Sequence, residues 1–195
     1  MKKICLILFV GALLLSSCAK EDVMDRTIFV PDEEDNNLPA YTEWGYNSFG
    51  AKYERDYFLV SNSIVPCKIL YNNSRLQFSL SGKIDYDGNM TLLFDFPFVQ
   101  MSGYQDLIQL NNTEIDLSDV DCTVKILQNG VENTLNVLDG KLHFKRAQLL
   151  SIDDQVNRVI LSGIFDLRFL QDGFPLTISN GRFDVGITQD VFHAY

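Results

Sequence analysis

The sequence predicts an all-β fold: a single antiparallel β-sandwich or partly closed barrel with tight hairpins and at most one short helix. Three observations carry this. Apolar and polar residues alternate at a period of two in several separate runs. Asn-Gly and Asp-Gly dipeptides, the strongest short hairpin signals, stand between those runs. Phe and Tyr number 14 and 8 of 195 residues, and such rings fit a pleated, half-buried surface. A parallel sheet would need crossover helices that no stretch supplies.

The elements follow in order. Phe78, Leu80, Gly82, Ile84 and Tyr86 share one face, with Gln77, Ser79, Ser81, Lys83 and Asp85 on the other. After Asp87-Gly88-Asn89 the apolar face resumes at Met90, Leu92, Phe94, Phe96 and Phe98, which predicts a hairpin whose second strand nears a sheet edge at Pro97. Only Ser102 to Leu110 has helical spacing, through Tyr104, Leu107 and Ile108. Val120, Cys122, Val124 and Ile126 lead into Asn129-Gly130, then Val131 to Leu138, Asp139-Gly140, and Lys141 to Lys145, which reads as a three-stranded meander. Val159, Leu161, Gly163, Phe165, Leu167 and Phe169 form the next apolar face, with Arg158, Ser162, Asp166 and Arg168 opposite. A turn over Gln171 to Pro175 and final strands around Asn180-Gly181 complete the set. Arg182 and Asp184 fall on an outward face and are expected to pair with Asp166 and Arg168, at roughly 0.2–1 kcal/mol per exposed pair.

The N-terminus has a different character. Lys2 and Lys3 precede an apolar run from Ile4 to Leu15. As a helix that run spans roughly 18 Å, short of a ~30 Å hydrocarbon core, so it fits an export signal rather than a membrane anchor. It ends in Leu15-Ser16-Ser17-Cys18, which resembles the lipobox of bacterial lipoproteins. That resemblance implies removal of residues 1–17 and acylation of Cys18 with palmitate-type chains; more than one chain is needed for stable anchoring. The following Ala19-Lys20-Glu21-Asp22 resembles the charged tag that exports lipoproteins of Bacteroidetes-type bacteria to the outer face of the outer membrane. A periplasm-facing anchor is the alternative. Residues 18–40, rich in acids, Asn and Pro, read as the lipidated cysteine and a flexible acidic tether, with Ile28-Phe29-Val30 able to dock; residues 41–195 are the β domain.

Loss of residues 1–17 removes Lys2 and Lys3 and no acid, leaving 14 basic against 26 acidic residues, a formal charge of −12. Such a chain repels nucleic acid and anionic lipid, so no nucleic-acid partner is expected. Chemistry is sparse. The only histidines are His143, within a strand, and His193, and no serine lies in a Gly-x-Ser-x-Gly elbow. Asp95, Asp116, Asp119, Asp121, Asp166 and Asp184 offer carboxylates for a glycoside hydrolase, but single acids alternating with apolar residues are ordinarily a solvated face. Asp85-Tyr86-Asp87-Gly88-Asn89 lacks the distal Glu of a calcium loop, since that position is Phe94. Asp116 to Asp121 clusters acids in a loop without a fuller ligand set, and no metal or cofactor is expected. Cys67 and Cys122 are either bridged, closing a loop of about 55 residues worth roughly 4 kcal/mol, or buried free thiols.

The residues that invite a binding role are aromatic. Tyr41, Trp44, Tyr46, Tyr53 and Tyr57, with Phe49 among them, crowd the start of the domain beside acids and amides. Ring stacking with hydrogen bonding is how sugars are held, and the same rings serve equally as core or interface anchors.

Two stretches resemble a known family. Leu38-Pro39-Ala40-Tyr41-Thr42-Glu43-Trp44-Gly45-Tyr46-Asn47-Ser48-Phe49-Gly50 resembles the opening of Bacteroidetes lipoproteins of unknown function, in which a Pro-rich lead precedes T-x-x-G-x-N-[TS]-F-G. Leu161-Ser162-Gly163-Ile164-Phe165-Asp166 and Ile178-Ser179-Asn180-Gly181-Arg182-Phe183-Asp184-Val185 resemble its closing pair, G-x-F and then G-R-F-D-V. The family follows its first motif with an Asn-Gly turn and a Trp, where this chain has Ala51 to Tyr57. The resemblance implies a one-domain β lipoprotein and brings no activity or active site with it. The expectation is a non-enzymatic, lipid-anchored β domain that binds a glycan or an envelope protein; an accessory structural subunit and a carboxylate hydrolase are the alternatives.

Overall fold

The computed structural model describes residues 26–61, 66–84, 88–152 and 155–195. Strand accounts for 64% and helix for 4% of it, in a sandwich-like all-β fold whose sheet does not close into a barrel. The expected signal peptide and Cys18 lie outside the described residues, as do Asp85 to Asp87 of the expected hairpin turn.

Among the described residues, twelve strands form one continuous sheet folded on itself. The first layer runs β6 (Thr113–Asp116), β9 (Asn136–Ile152), β10 (Gln155–Gln171), β11 (Phe174–Ile187), β1 (Ser48–Tyr53) and β2 (Asp56–Leu59). The second runs β4 (Arg75–Ile84), β5 (Gly88–Pro97), β7 (Thr123–Gln128) and β8 (Val131–Thr134), with β3 (Cys67–Asn72) and β12 (Phe192–Ala194) on the other edge of β4. Among the named pairs all are antiparallel except β12 with β3. The helical spacing at residues 102–110 becomes a 3-10 helix, Tyr104–Leu110, which buries Leu107 and Leu110.

The layers join where β2 meets β4 through Phe58↔Ile84 and Leu59↔Lys83. Gly82 makes that junction possible: a Cβ there would lie 2.2 Å from the Leu59 carbonyl oxygen and 2.6 Å from the Phe49 ring. Between the layers sits an aromatic core. Phe78 meets Phe183 at 5.0 Å and Phe144 at 5.3 Å, and Phe94 meets Phe165 at 5.5 Å, tilted or edge-on as ring quadrupoles prefer. These are the inward residues of the alternating runs, and each is at most 2% exposed.

Of three expected turns, one forms and two are corrected. Asn129-Gly130 does turn β7 into β8, with φ of 53° and 79°. Asp139-Gly140, expected as a second turn, lies inside β9 instead, because its partner strand β10 needs a close approach: a Cβ on Gly140 would lie 2.6 Å from that of Leu167. The chain therefore leaves the second layer at Leu135 and enters the first, so no meander forms. Asn180-Gly181 likewise interrupts a single strand rather than dividing two. Asn180 has φ 53°, and the pairing of β11 shifts register there against both β1 and β10, which marks a β-bulge.

Among the described residues, Cys67 and Cys122 are both free thiols. Cys67 lies on β3 and Cys122 just before β7, and β4 and β5 run between them. Three strand spacings amount to about 14 Å, beyond the ~7 Å that a disulfide bridges. Burial pushes the Cys67 thiol well above its ordinary pKa. Burial, helped by nearby Asp119, raises Cys122 as well.

Residues 28–40, expected within the flexible tether, lie against the first layer. Ile28 N donates to Tyr46 O at 2.8 Å, Ala40 N to Val30 O at 2.7 Å, and Pro31 bridges to Pro39. Leu38 is fully buried. Asp32 pairs with Arg182, and Asp35 with Lys52 at 2.6 Å. The acids read as solvated tether thus hold the segment down by facing cations on β11 and β1. No helix among the described residues is long and apolar enough to cross a membrane.

Candidate functional site

The five aromatic residues do not share one surface. Tyr41, Trp44 and Tyr46 precede β1, while Tyr53 and Tyr57 belong to the β1–β2 hairpin at its other end, about 17 Å away along the strand. Tyr53 packs against the core, its ring 6.3 Å from Phe169. Tyr57 is half-buried, its hydroxyl donating to Asp35 at 3.2 Å and accepting from Asn37 Nδ2 at 3.2 Å. Phe49 is fully buried. Tyr41 donates to Glu43 at 2.8 Å beneath the Lys145 ammonium, 5.2 Å from its ring. Burial first, and then that carboxylate, raises the Tyr41 pKa. Trp44 alone is largely open, at 72% exposure.

Loop 41–47 is held by Asp184. This carboxylate is 1% exposed and accepts from Thr42 Oγ1 at 2.5 Å, Trp44 N at 3.0 Å, Gly45 N at 2.7 Å, Tyr46 N at 3.2 Å and Ser162 Oγ at 2.9 Å. Asn47 Oδ1 accepts from Gly186 N at 3.0 Å, and Gln148 Nε2 donates to Glu43 O at 2.9 Å. The loop so covers the outward face of β10 and buries Ile160 and Ser162. The expected pairing of Arg182 and Asp184 with Asp166 and Arg168 is corrected accordingly: Asp184 serves the loop, Arg182 binds Asp32, and Arg168 pairs with Asp139 at 2.6 Å. Of the quoted motif residues, Thr42 and Gly45 meet Asp184 and Asn47 meets Gly186 on this outward face, whereas Gly163 and Phe183 pack against each other on the inward one.

A concave surface lies elsewhere, on the outward face of the second layer. It is a groove of about 350 Å³ lined by Leu70, Asn72, Asn73, Arg75, Gln77, Asp95 and Tyr195. Alternation builds it. Leu70, Gln77 and Asp95 stand side by side on β3, β4 and β5, and Asn72 faces Arg75 one step away. The strands meet in a tight turn at Asn73 and Ser74, with φ of 50° and 60°. Arg75 Nε donates to Asp95 Oδ1 at 2.5 Å and its Nη2 to Asp121 O at 2.8 Å, while Gln77 Nε2 donates to Asp95 Oδ2 at 2.7 Å. These bonds fix the polar floor before any ligand arrives. Tyr195 N donates to Tyr71 O at 3.0 Å, which sets an 82% exposed ring at the rim. Amides, a guanidinium, a carboxylate and an aromatic face suit a neutral, hydroxyl-rich ligand.

Sequence reasoning missed this site. In the sequence Asp95 reads only as a candidate carboxylate for hydrolysis, and Tyr195 reaches the groove through a parallel pairing of residues 123 apart that no local pattern announces. The polar turn Asn72-Asn73-Ser74-Arg75 was the one available signal.

The acids clustered at Asp116 to Asp121 cap turns. Asp116 accepts from Ser118 N and Oγ at 2.9 and 2.6 Å, and Asp119 from Asp121 N at 2.9 Å. Among the described residues no group of three or more His, Cys, Asp or Glu is placed to hold a metal ion. His143 reaches Asn112 at 3.4 Å, and His193 lies on β12 beside Leu70. No family model, curated protein or solved structure matches the chain.

Proposed function

We propose that this protein is a lipid-anchored lipoprotein of the outer membrane, facing the cell exterior, whose β domain binds a glycan without chemical turnover. The observation that carries the binding role is the groove at Arg75, Gln77, Asp95 and Tyr195, a preformed polar floor with an open aromatic rim. The anchor rests on Leu15-Ser16-Ser17-Cys18 and the charged residues behind it. Asp95 is the one acidic side chain among the residues that line the groove, and Arg75 and Gln77 occupy both of its oxygens. Paired-carboxylate hydrolysis needs two acids, so the groove favours binding over the hydrolase reading. Membership of the lipoprotein family resembled above remains part of this proposal.

A glycan-array screen of the full chain tests it. Binding should fall about tenfold, the equivalent of ~1.4 kcal/mol, for Tyr195→Ala and for Arg75→Ala, and stay unchanged for Trp44→Ala. Failure to bind any glycan rejects the sugar ligand, and normal maturation of a Cys18→Ala chain rejects the anchor. A second reading, an accessory subunit of an envelope complex, draws on β8, an edge strand with all four residues exposed. Such an edge can pair with another chain. In-cell cross-linking from Glu132 would capture a discrete partner under that reading.

A further inference from the structure

We propose that Ile28, Phe29, Val30 and Trp44 form a membrane-contact patch that lays the outer face of the first layer on the lipid headgroups and turns the groove away from them. The inference rests on the lipid-anchored reading above. Ile28, Phe29 and Val30 are consecutive and 41%, 46% and 39% exposed, and Trp44 is 72% exposed. The bond from Ile28 N to Tyr46 O sets the two segments side by side. Scattered apolar residues on a surface need no explanation, but a group of them marks a contact site.

The chain itself argues for lipid as the occupant. Ten residue steps separate Cys18 from Ile28, at most about 35 Å of extended backbone. An acylated Cys18 therefore holds this patch, the first apolar part of the described domain, within that distance of the bilayer and at high effective concentration. Trp and Phe rings suit the headgroup boundary, and a protein-borne apolar contact adds a second signal to the acyl anchor. Charge selects the kind of lipid. Arg182 and Lys52 hold Asp32 and Asp35, but Glu33 and Glu34 stay exposed beside the patch. A zwitterionic surface is favoured and an anionic one opposed.

Orientation follows from the sandwich. The segments that carry the patch bond to Arg182 through Asp32 and to Asp184 through Trp44 N, on the outward side of β11, whose inward Phe183 meets Phe78 of β4 at 5.0 Å. Gln77, next to Phe78, points out of the opposite face into the groove. Contact through the patch thus presents the groove to the surroundings.

Trp44 is the one tryptophan in the sequence, so its emission reports the contact directly. The full acylated chain, reconstituted into phosphatidylcholine vesicles, should show blue-shifted Trp44 emission and loss of intensity when brominated phosphatidylcholine replaces the ordinary lipid. Both effects should shrink in Phe29→Ser and when phosphatidylglycerol is added. Acylated protein whose Trp44 emission matches that of the vesicle-free Cys18→Ala chain overturns the contact while leaving the anchor intact. Absence of acyl mass overturns the anchor and the contact with it. A blue shift that grows with protein concentration without vesicles assigns the patch to self-association and also overturns the proposal.

Discussion

At the scale of residues, Asp184 is the most consequential side chain in the described structure. A buried carboxylate is costly unless hydrogen bonds replace its hydration, and here three backbone N–H groups and two hydroxyls do so. Removing it leaves those donors buried without an acceptor. Asp184→Ala should therefore cost about 3–5 kcal/mol, and Asp184→Asn less, as read by denaturant unfolding. In both, Trp44 anisotropy should fall before global unfolding, because loop 41–47 loses its anchor. A stability change below about 0.5 kcal/mol, the range of ordinary surface substitutions, would show that the loop is held some other way. Gly163 illustrates what a sequence reveals and conceals. Its place on an apolar face was legible, but its purpose was not: a Cβ there would sit 2.2 Å from the His143 carbonyl oxygen and 2.5 Å from the Phe183 ring.

At the scale of elements, segment 28–40 shows why composition misleads. Its acids, prolines and asparagines carry no hydrophobic period, so it reads as tether. What docks it is charge pairing with Arg182 and Lys52, 150 and 17 residues away, and the burial of Leu38. The backbone N–H groups of Glu34 and Asp35, with Arg182, hold Asp32 below the ordinary carboxylate range. For Asp35, Lys52 leads in doing the same. A carboxylate whose pKa is lower folded than unfolded stabilises the structure above its unfolded value, and that contribution fades as pH falls through the folded one. Docking should hold at pH 6 and weaken below about 3.8, the unperturbed value for both groups. Hydrogen exchange at Asp32 N and Ala40 N measures this. Protection that is unchanged from pH 6 to well below 3.8 would assign the docking to Leu38 rather than to the ion pairs. The two Asn-Gly dipeptides carry a related lesson: identical residues make a turn at 129–130 and a bulge at 180–181, and the flanking strand partners decide which.

At the scale of the molecule, two outward faces carry different proposed tasks. The first bears the apolar patch and the second the groove, with an aromatic core between them. If both proposals hold, membrane contact and glycan binding do not compete. The vesicle-bound acylated chain should then bind its glycan with the affinity it shows in detergent, by calorimetry on both forms. A tenfold loss on vesicles would mean that the groove faces the lipid, and would reject the orientation. The sandwich also explains why the five aromatics could not be one site, since β1 separates Tyr41, Trp44 and Tyr46 from Tyr53 and Tyr57.

By itself the sequence determined the strand class, the inward placement of Phe78, Phe94, Phe165 and Phe183, the short helical turn and the motif behind the anchor proposal. Each is written in local spacing, where side-chain period and turn chemistry act over a few residues. Only tertiary structure decided that Gly140 permits a close approach instead of a turn, that Asp184 faces a loop instead of water, and that Tyr195 completes a groove with Arg75 and Asp95. Those outcomes depend on partners distant along the chain, whose proximity comes from burying two apolar sheet faces against each other.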